Sequence, residues 1–193
     1  MKINYQDLEK KLKITFKDKK LLTKSLTHKS YDRENNNEKI EFLGDRVLGL
    51  VIAKKLLEIY PNEKEGILDK KFASLVNKKT CLQIAKKINL QNYLLTLNTK
   101  KDLIEDKVLA DSCEALIGSI YLDRGLNTVE KIILDLWAKH ISDSAITPID
   151  AKTKLQELSL KKFKKLPIYK LISNTGPRPV SYTHLTLPTI CSV

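Results

Sequence analysis

The chain has 193 residues, and its 35 Lys and Arg against 23 Asp and Glu give a formal charge of +12 at pH 7. That is long enough for one sizeable core and a small second module, and the charge favours polyanionic partners, whether nucleic acid or an acidic membrane surface. No run approaches the roughly 18 consecutive apolar residues of a membrane span, and Met1 to Asp7 has no hydrophobic segment behind a charged start, so neither a transmembrane helix nor a signal peptide is expected and a cytoplasmic location is.

Helical periodicity dominates up to about residue 150 and strand patterns are nearly absent, which predicts an all-α first domain. Tyr5 to Leu12 and Lys19 to Thr27 read as short amphipathic helices. Asn35 to Asn37 reads as a solvated loop whose last member caps the next helix. That helix, Ile40 to Tyr60, stops at Pro61, where a helix cannot continue. Its apolar residues Ile40, Phe42, Leu43, Val47, Leu48, Leu50, Val51 and Ile52 cover so much of the circumference that the helix is expected inside a core. Asp69 to Val76, Lys79 to Ile88, Lys107 to Asp123 and Thr128 to Ser142 follow, with Gly125 as a stop and Asn127-Thr128 as an N-cap. Trp137, beside Leu134 and Leu136, reads as core or interface. The short polar stretch Ser142 to Pro148 marks a joint between modules.

The acids on these helices carry the chemistry. At ~100° per residue, Glu38, Glu41 and Asp45 fall at about 0°, 300° and 340°, one stripe of an otherwise apolar helix. Asp111 and Glu114 are i, i+3 neighbours on a second helix that is otherwise small or apolar. Acids at such spacings are also common on solvated faces. Buried carboxylates, however, cost several kcal/mol each unless a cation compensates, and two such helices packed together would gather Glu41, Asp45, Asp111 and Glu114. An all-oxygen set without His or Cys suits Mg²⁺ or Mn²⁺ and argues against zinc. That chemistry is metal-assisted phosphodiester hydrolysis. Cys81, Cys113 and Cys191 are odd in number and far apart, as reduced thiols are. No Walker loop or dinucleotide fingerprint is present, so no nucleotide cofactor is implied. His28 and Ser30 lack an oxyanion turn and read as a packed or capping pair.

The run Asn37-Glu38-Lys39-Ile40-Glu41-Phe42-Leu43-Gly44-Asp45 resembles the signature of the ribonuclease III family, and Leu109 to Gly118 resembles that family's second acidic motif. Leu26 to Ser30, Glu65-Gly66, Ala73 to Val76 and Tyr121 to Gly125 extend the resemblance in order, from about Leu8 to about Pro177. It implies a helical endonuclease domain, residues 1–146, acting as a homodimer on double-stranded RNA. Glu41, Asp111 and Glu114 would be metal ligands, and Asp45 and Glu114 the residues on which hydrolysis chiefly depends. The products would carry 5′-phosphate and 3′-hydroxyl ends, with roles in rRNA and mRNA processing. Glu38 and Glu65 occupy positions associated with RNA handling or the subunit interface. Some relatives have a small residue where this chain has Arg46, a difference with no evident reason to abolish activity.

From Pro148 to Pro177 seven lysines face two acids, a density suited to phosphate contacts. Asp150 to Leu158, Leu166 to Tyr169 and Gly176-Pro177 resemble the opening of a double-stranded-RNA-binding domain, a partial α/β module over residues 147–177. In that family the first helix crosses a minor groove, which would give Gln156 and Glu157 contacts to ribose hydroxyls. The resemblance stops at Pro177. Residues 178–193 hold one basic side chain amid Thr, Pro and Ser, and read as a non-native tail. The competing function is a catalytically silent protein that binds RNA duplex with the same fold. Intact acids at all four positions weigh against it, since such a protein would gain affinity by losing negative charge.

Overall fold

A computed structural model describes residues 3–97, 104–144 and 151–167. The chain divides into two compact units, Met1–Thr147 and Pro148–Val193. The first is built from α1 (Gln6–Leu12), α2 (Lys19–Ser25), α3 (Glu38–Ile59), α4 (Glu65–Val76), α5 (Lys78–Lys87), a single 3-10 turn (Leu90–Tyr93), α6 (Asp106–Arg124) and α7 (Leu126–Asp143). Among the described residues there is no strand, only an isolated parallel bridge between Thr27 and Leu95. None of the described helices is long and apolar enough to cross a membrane.

α6 is the centre of the core. Eleven of its residues, from Leu109 to Ile120, are buried, and they include Ser112, Glu114 and Ser119. α3 crosses it where both helices carry glycine. A Cβ on Gly44 would stand 1.8 Å from the carbonyl oxygen of Glu114, and one on Gly118 would stand 2.3 Å from that of Ile40. Any side chain there would hold the backbones apart, so the two glycines set the depth of the crossing. Trp137 of α7 is fully buried and donates its indole N–H to the carbonyl of Leu75 at 2.9 Å, which ties α7 to α4.

Two joints matter for the site. Asn77, between α4 and α5, accepts from the N–H of Thr80 through its side-chain oxygen and donates through its amide to the carbonyls of Ala73 and Ser74. It is therefore the N-cap of α5 and satisfies open carbonyls at the end of α4, so Lys78 becomes the first residue of α5. Before α3, the N–H of Asn37 bonds the carbonyl of Thr27 at 2.9 Å, fixing the loop against the Thr27–Leu95 bridge.

Several sequence expectations shift. Asn37 takes the N-cap position of α3 without a side-chain cap bond; the Asn36 side chain accepts from the Glu38 N–H instead. α2 stops at Ser25 because Thr27 leaves the helix to form the bridge. α4 begins at Glu65 rather than Asp69, since Gly66 in a first turn costs little where Glu65 opposes the positive helix end. α7 starts at Leu126 rather than Thr128, with Gly125 at φ 78° ending α6 and opening α7 at once.

The larger correction concerns α3, expected to be covered all round. Its inner face, Ile40, Gly44, Val47, Leu48, Val51, Ile52 and Leu56, is buried, but Phe42, Leu50 and Leu57 are 65%, 58% and 60% exposed. These three share a stripe with Arg46 and Ala53, at i, i+4 and i+7 or i+8 spacings. The helix is apolar on two sides, and the first unit covers only one. In the second unit the described backbone forms α8 (Ala151–Phe163). The strand expected around Leu166–Tyr169 extends past the described residues, and the tail 178–193 lies outside them.

Candidate active site

The crossing of α3 and α6 brings acids of both helices to one cleft. Glu41, Asp111 and Glu114 each offer an oxygen within 4.8 Å of the others. A cleft of about 420 Å³ is lined by Glu38, Glu41, Phe42, Asp45, Arg46, Lys78 and Glu114. Burial grades inward: the side chains of Asp45, Glu41, Asp111 and Glu114 are 37%, 25%, 17% and 4% exposed.

The cations around the cleft are as ordered as the acids. Lys29 donates to Glu38 at 2.8 Å, Arg46 pairs with Asp45, and Lys78 reaches Glu41, Asp111 and Glu114 together. Arg46 also lies 5.0 Å from the ring centre of Phe42, a cation–π contact. Burial raises the pKa of Glu114 above the usual carboxylate range, partly offset by Lys78, while Glu41 and Asp111 add to the rise. Burial likewise raises Glu41, with the Asp111 charge adding and Lys78 opposing. For Lys78, burial pulls the ammonium down, but its hydrogen bonds to Asp111 and Glu114 outweigh that, and its pKa is raised. The cleft thus holds more negative charge than it solvates well, a condition a divalent cation relieves. Hard oxygen donors converging from two rigid helices fit Mg²⁺ or Mn²⁺.

Of the four acids expected together, three converge and Asp45 lines the same cleft with its carboxylate on Arg46. Glu38 sits at the rim, paired with Lys29. Glu65 borders an apolar groove of about 310 Å³ with Ala53, Leu57, Leu68 and Phe72, on the exposed side of α3. Gln156 lies on α8 and is half-buried; the side chain of Glu157 lies outside the described residues. His28 and Ser30 are part-buried in a local turn, Nδ1 to Oγ 2.8 Å. Cys81 and Cys113 are buried free thiols. Burial raises both pKa values, that of Cys113 to about 12, so neither offers a thiolate near neutral pH. Lys78 was the residue sequence reasoning missed. One cation among 35 Lys and Arg carries no mark of its own, and only its place after the Asn77 cap sets it apart.

These features define a helical domain that gathers carboxylates in a cleft able to hold a divalent ion. The family model described as Ribonuclease-III-like matches residues 18–141, the stretch that supplies every side chain of the cleft. A Ribonuclease 3 from Pelagibacter ubique is 72% identical over 180 residues, covering 92% of this chain and 81% of the relative. One from Sulfurovum sp. is 40% identical over 179 residues, covering 90% and 80%. The solved nuclease domain of Ribonuclease III from Campylobacter jejuni, described for flexibility in its region involved in dimer formation, matches with a TM-score of 0.68 at 39% identity, covering 72% of this chain and 99% of that one. The chain belongs to the ribonuclease III family of endoribonucleases.

Proposed function

We propose that this chain is a divalent-metal-dependent endoribonuclease that hydrolyses double-stranded RNA to 5′-phosphate and 3′-hydroxyl ends, in rRNA and mRNA processing. The observation that carries the reading is the convergence of Glu41, Asp111 and Glu114 within 4.8 Å, inside the family-matched stretch. Those three would hold Mg²⁺ or Mn²⁺. Such an ion lowers the pKa of a coordinated water and neutralises charge developing on the phosphate. The chain's own contribution is position: Glu114, buried on α6 at the glycine crossing, cannot drift, and Glu41 faces it from α3. Asp45, less buried and paired with Arg46, lines the same cleft nearer to solvent, where substrate and water would enter. The net charge of +12 draws a polyanion toward the protein.

The test is incubation with a long labelled RNA duplex at low salt, with Mg²⁺ and with EDTA. Metal-dependent cleavage to short duplexes with 5′-phosphate ends is expected. A folded protein that retards the duplex on a gel without cutting it would establish the silent binder instead.

The homodimer belongs to the same proposal, and its support is the uncovered stripe Phe42, Leu50 and Leu57 on α3, flanked by a groove that includes Leu68 and Phe72. A two-fold interface uses each residue twice. Burying one leucine is worth about 2 kcal/mol, so Leu50→Asp removes about 4 kcal/mol from two copies and weakens the dimer roughly 10³-fold. Sedimentation velocity at micromolar protein is expected to show a dimer for the parent and a monomer for the variant. A variant that stays dimeric would place the interface elsewhere.

A further inference from the structure

The ammonium of Lys78 lies 3.3 Å from Glu41 Oε1, 2.5 Å from Asp111 Oδ1 and 2.9 Å from Glu114 Oε2. These are the same three side chains whose oxygens converge as a ligand set. An ammonium has three N–H donors, and here each finds a different carboxylate, a charge-assisted match with none left over. Lys78 is the first residue of α5, where a cation meets the positive end of the helix dipole. Helix electrostatics therefore do not favour it there, and the three carboxylates are what hold it. Its side chain is 52% exposed, so the flexible stem can swing out to water without opening the core.

An ammonium standing among these three carboxylates competes with a dication for their oxygens, and the two cations repel each other at close range. We propose that Lys78 is a tethered counter-cation of the metal centre, holding Glu41, Asp111 and Glu114 together when no ion is bound and giving up their oxygens when an ion enters. It keeps the charged cleft folded without metal and, as an internal competitor, lowers the site's apparent metal affinity by the fraction of molecules in which it occupies the oxygens. Lys78 is thus a positioning residue rather than a catalytic one. The inference rests on the metal reading above.

Lys78→Met keeps an unbranched apolar stem and removes the charge; Lys78→Arg keeps the charge. Calorimetric titration of the full chain with Mn²⁺, without RNA, is the primary readout, with melting in EDTA and in Mn²⁺ beside it. Lys78→Met is expected to bind Mn²⁺ about tenfold more tightly, to melt several degrees lower in EDTA, and to recover that loss in Mn²⁺, while Lys78→Arg stays near the parent affinity. Unchanged or weaker Mn²⁺ binding by Lys78→Met overturns the proposal. If that variant is unfolded in EDTA, circular dichroism during Mn²⁺ addition decides: refolding supports the counter-cation role, and failure to refold overturns it. A parent protein that binds no Mn²⁺ defeats the metal reading itself, whereas a parent that binds and a Lys78→Met that binds identically defeat only the role of Lys78.

Discussion

Glu114→Gln is expected to lower the rate of duplex cleavage by roughly 10³-fold or more, equivalent to about 4 kcal/mol of transition-state stabilisation, while leaving the fold intact. Glu114 is the most buried of the cleft acids, and its charge is what an ion would bind. Glutamine has the same shape and keeps an oxygen that can accept from Lys78, now 2.9 Å away. The stability effect has a definite sign. Burial raises the pKa of Glu114, and a group raised on folding contributes stability below its unfolded pKa that is lost as pH rises through its folded pKa. At neutral pH the ionised side chain therefore opposes folding, and removing its charge relieves that opposition. In EDTA at pH 7 the variant should melt at or above the parent temperature. Single-turnover cleavage at saturating Mg²⁺, read beside the melt, separates the two effects. Near-parental cleavage by Glu114→Gln would remove Glu114 from the site.

The acids are legible in the sequence because helix geometry is nearly invariant. Spacings of three and four put Glu38, Glu41 and Asp45 on one stripe and Asp111 with Glu114 on another, whatever surrounds them. Which of them would meet depended on the angle and depth of the α3–α6 crossing. Gly44 and Gly118 set that depth, yet a glycine in a sequence does not say what passes against it. The outer face of α3 was misread for a related reason. Hydropathy marks Phe42, Leu50 and Leu57 as residues that gain by leaving water, but the pattern is the same whether the covering surface belongs to this unit or to another molecule. Lys78 was hidden differently: its significance comes entirely from three carboxylates 33 to 37 positions away along the chain.

Around the cleft, every acid already has a cation: Glu38 has Lys29, Asp45 has Arg46, and the inner three share Lys78. The two outer pairs are well exposed and contribute little to stability. Their value is electrostatic. If the cleft takes RNA as proposed, a phosphate would be repelled by bare carboxylates, and Lys29 and Arg46, each in an exposed ion pair, could exchange a carboxylate for a phosphate oxygen without leaving a buried charge. Uncompensated negative charge is thereby concentrated at the inner set, where three carboxylates share one ammonium, and is masked at the rim.

Gly44→Ala should be among the most damaging single-methyl changes in the chain. In a solvent-exposed helix that substitution would stabilise by about 1 kcal/mol through propensity alone. Here the added Cβ would meet the Glu114 carbonyl oxygen at 1.8 Å, its carbon at 2.6 Å and the Gly118 nitrogen at 2.9 Å. All three are backbone atoms of a helix buried along most of its length, so no side chain can turn aside and α3 and α6 must separate. Overpacking of this kind costs about 3 kcal/mol or more, a large part of a typical domain stability and roughly 10 °C of melting temperature at this size. Because the clash is with the residue that carries the Glu114 carboxylate, separation also moves that carboxylate away from Glu41. The variant should therefore lose Mn²⁺ binding and cleavage even at temperatures where it remains helical, a combination that simple destabilisation does not produce. Thermal melting with calorimetric Mn²⁺ titration of the folded variant checks both halves, and a Gly44→Ala protein that melts at or above the parent would mean that α3 and α6 stand further apart than this crossing allows.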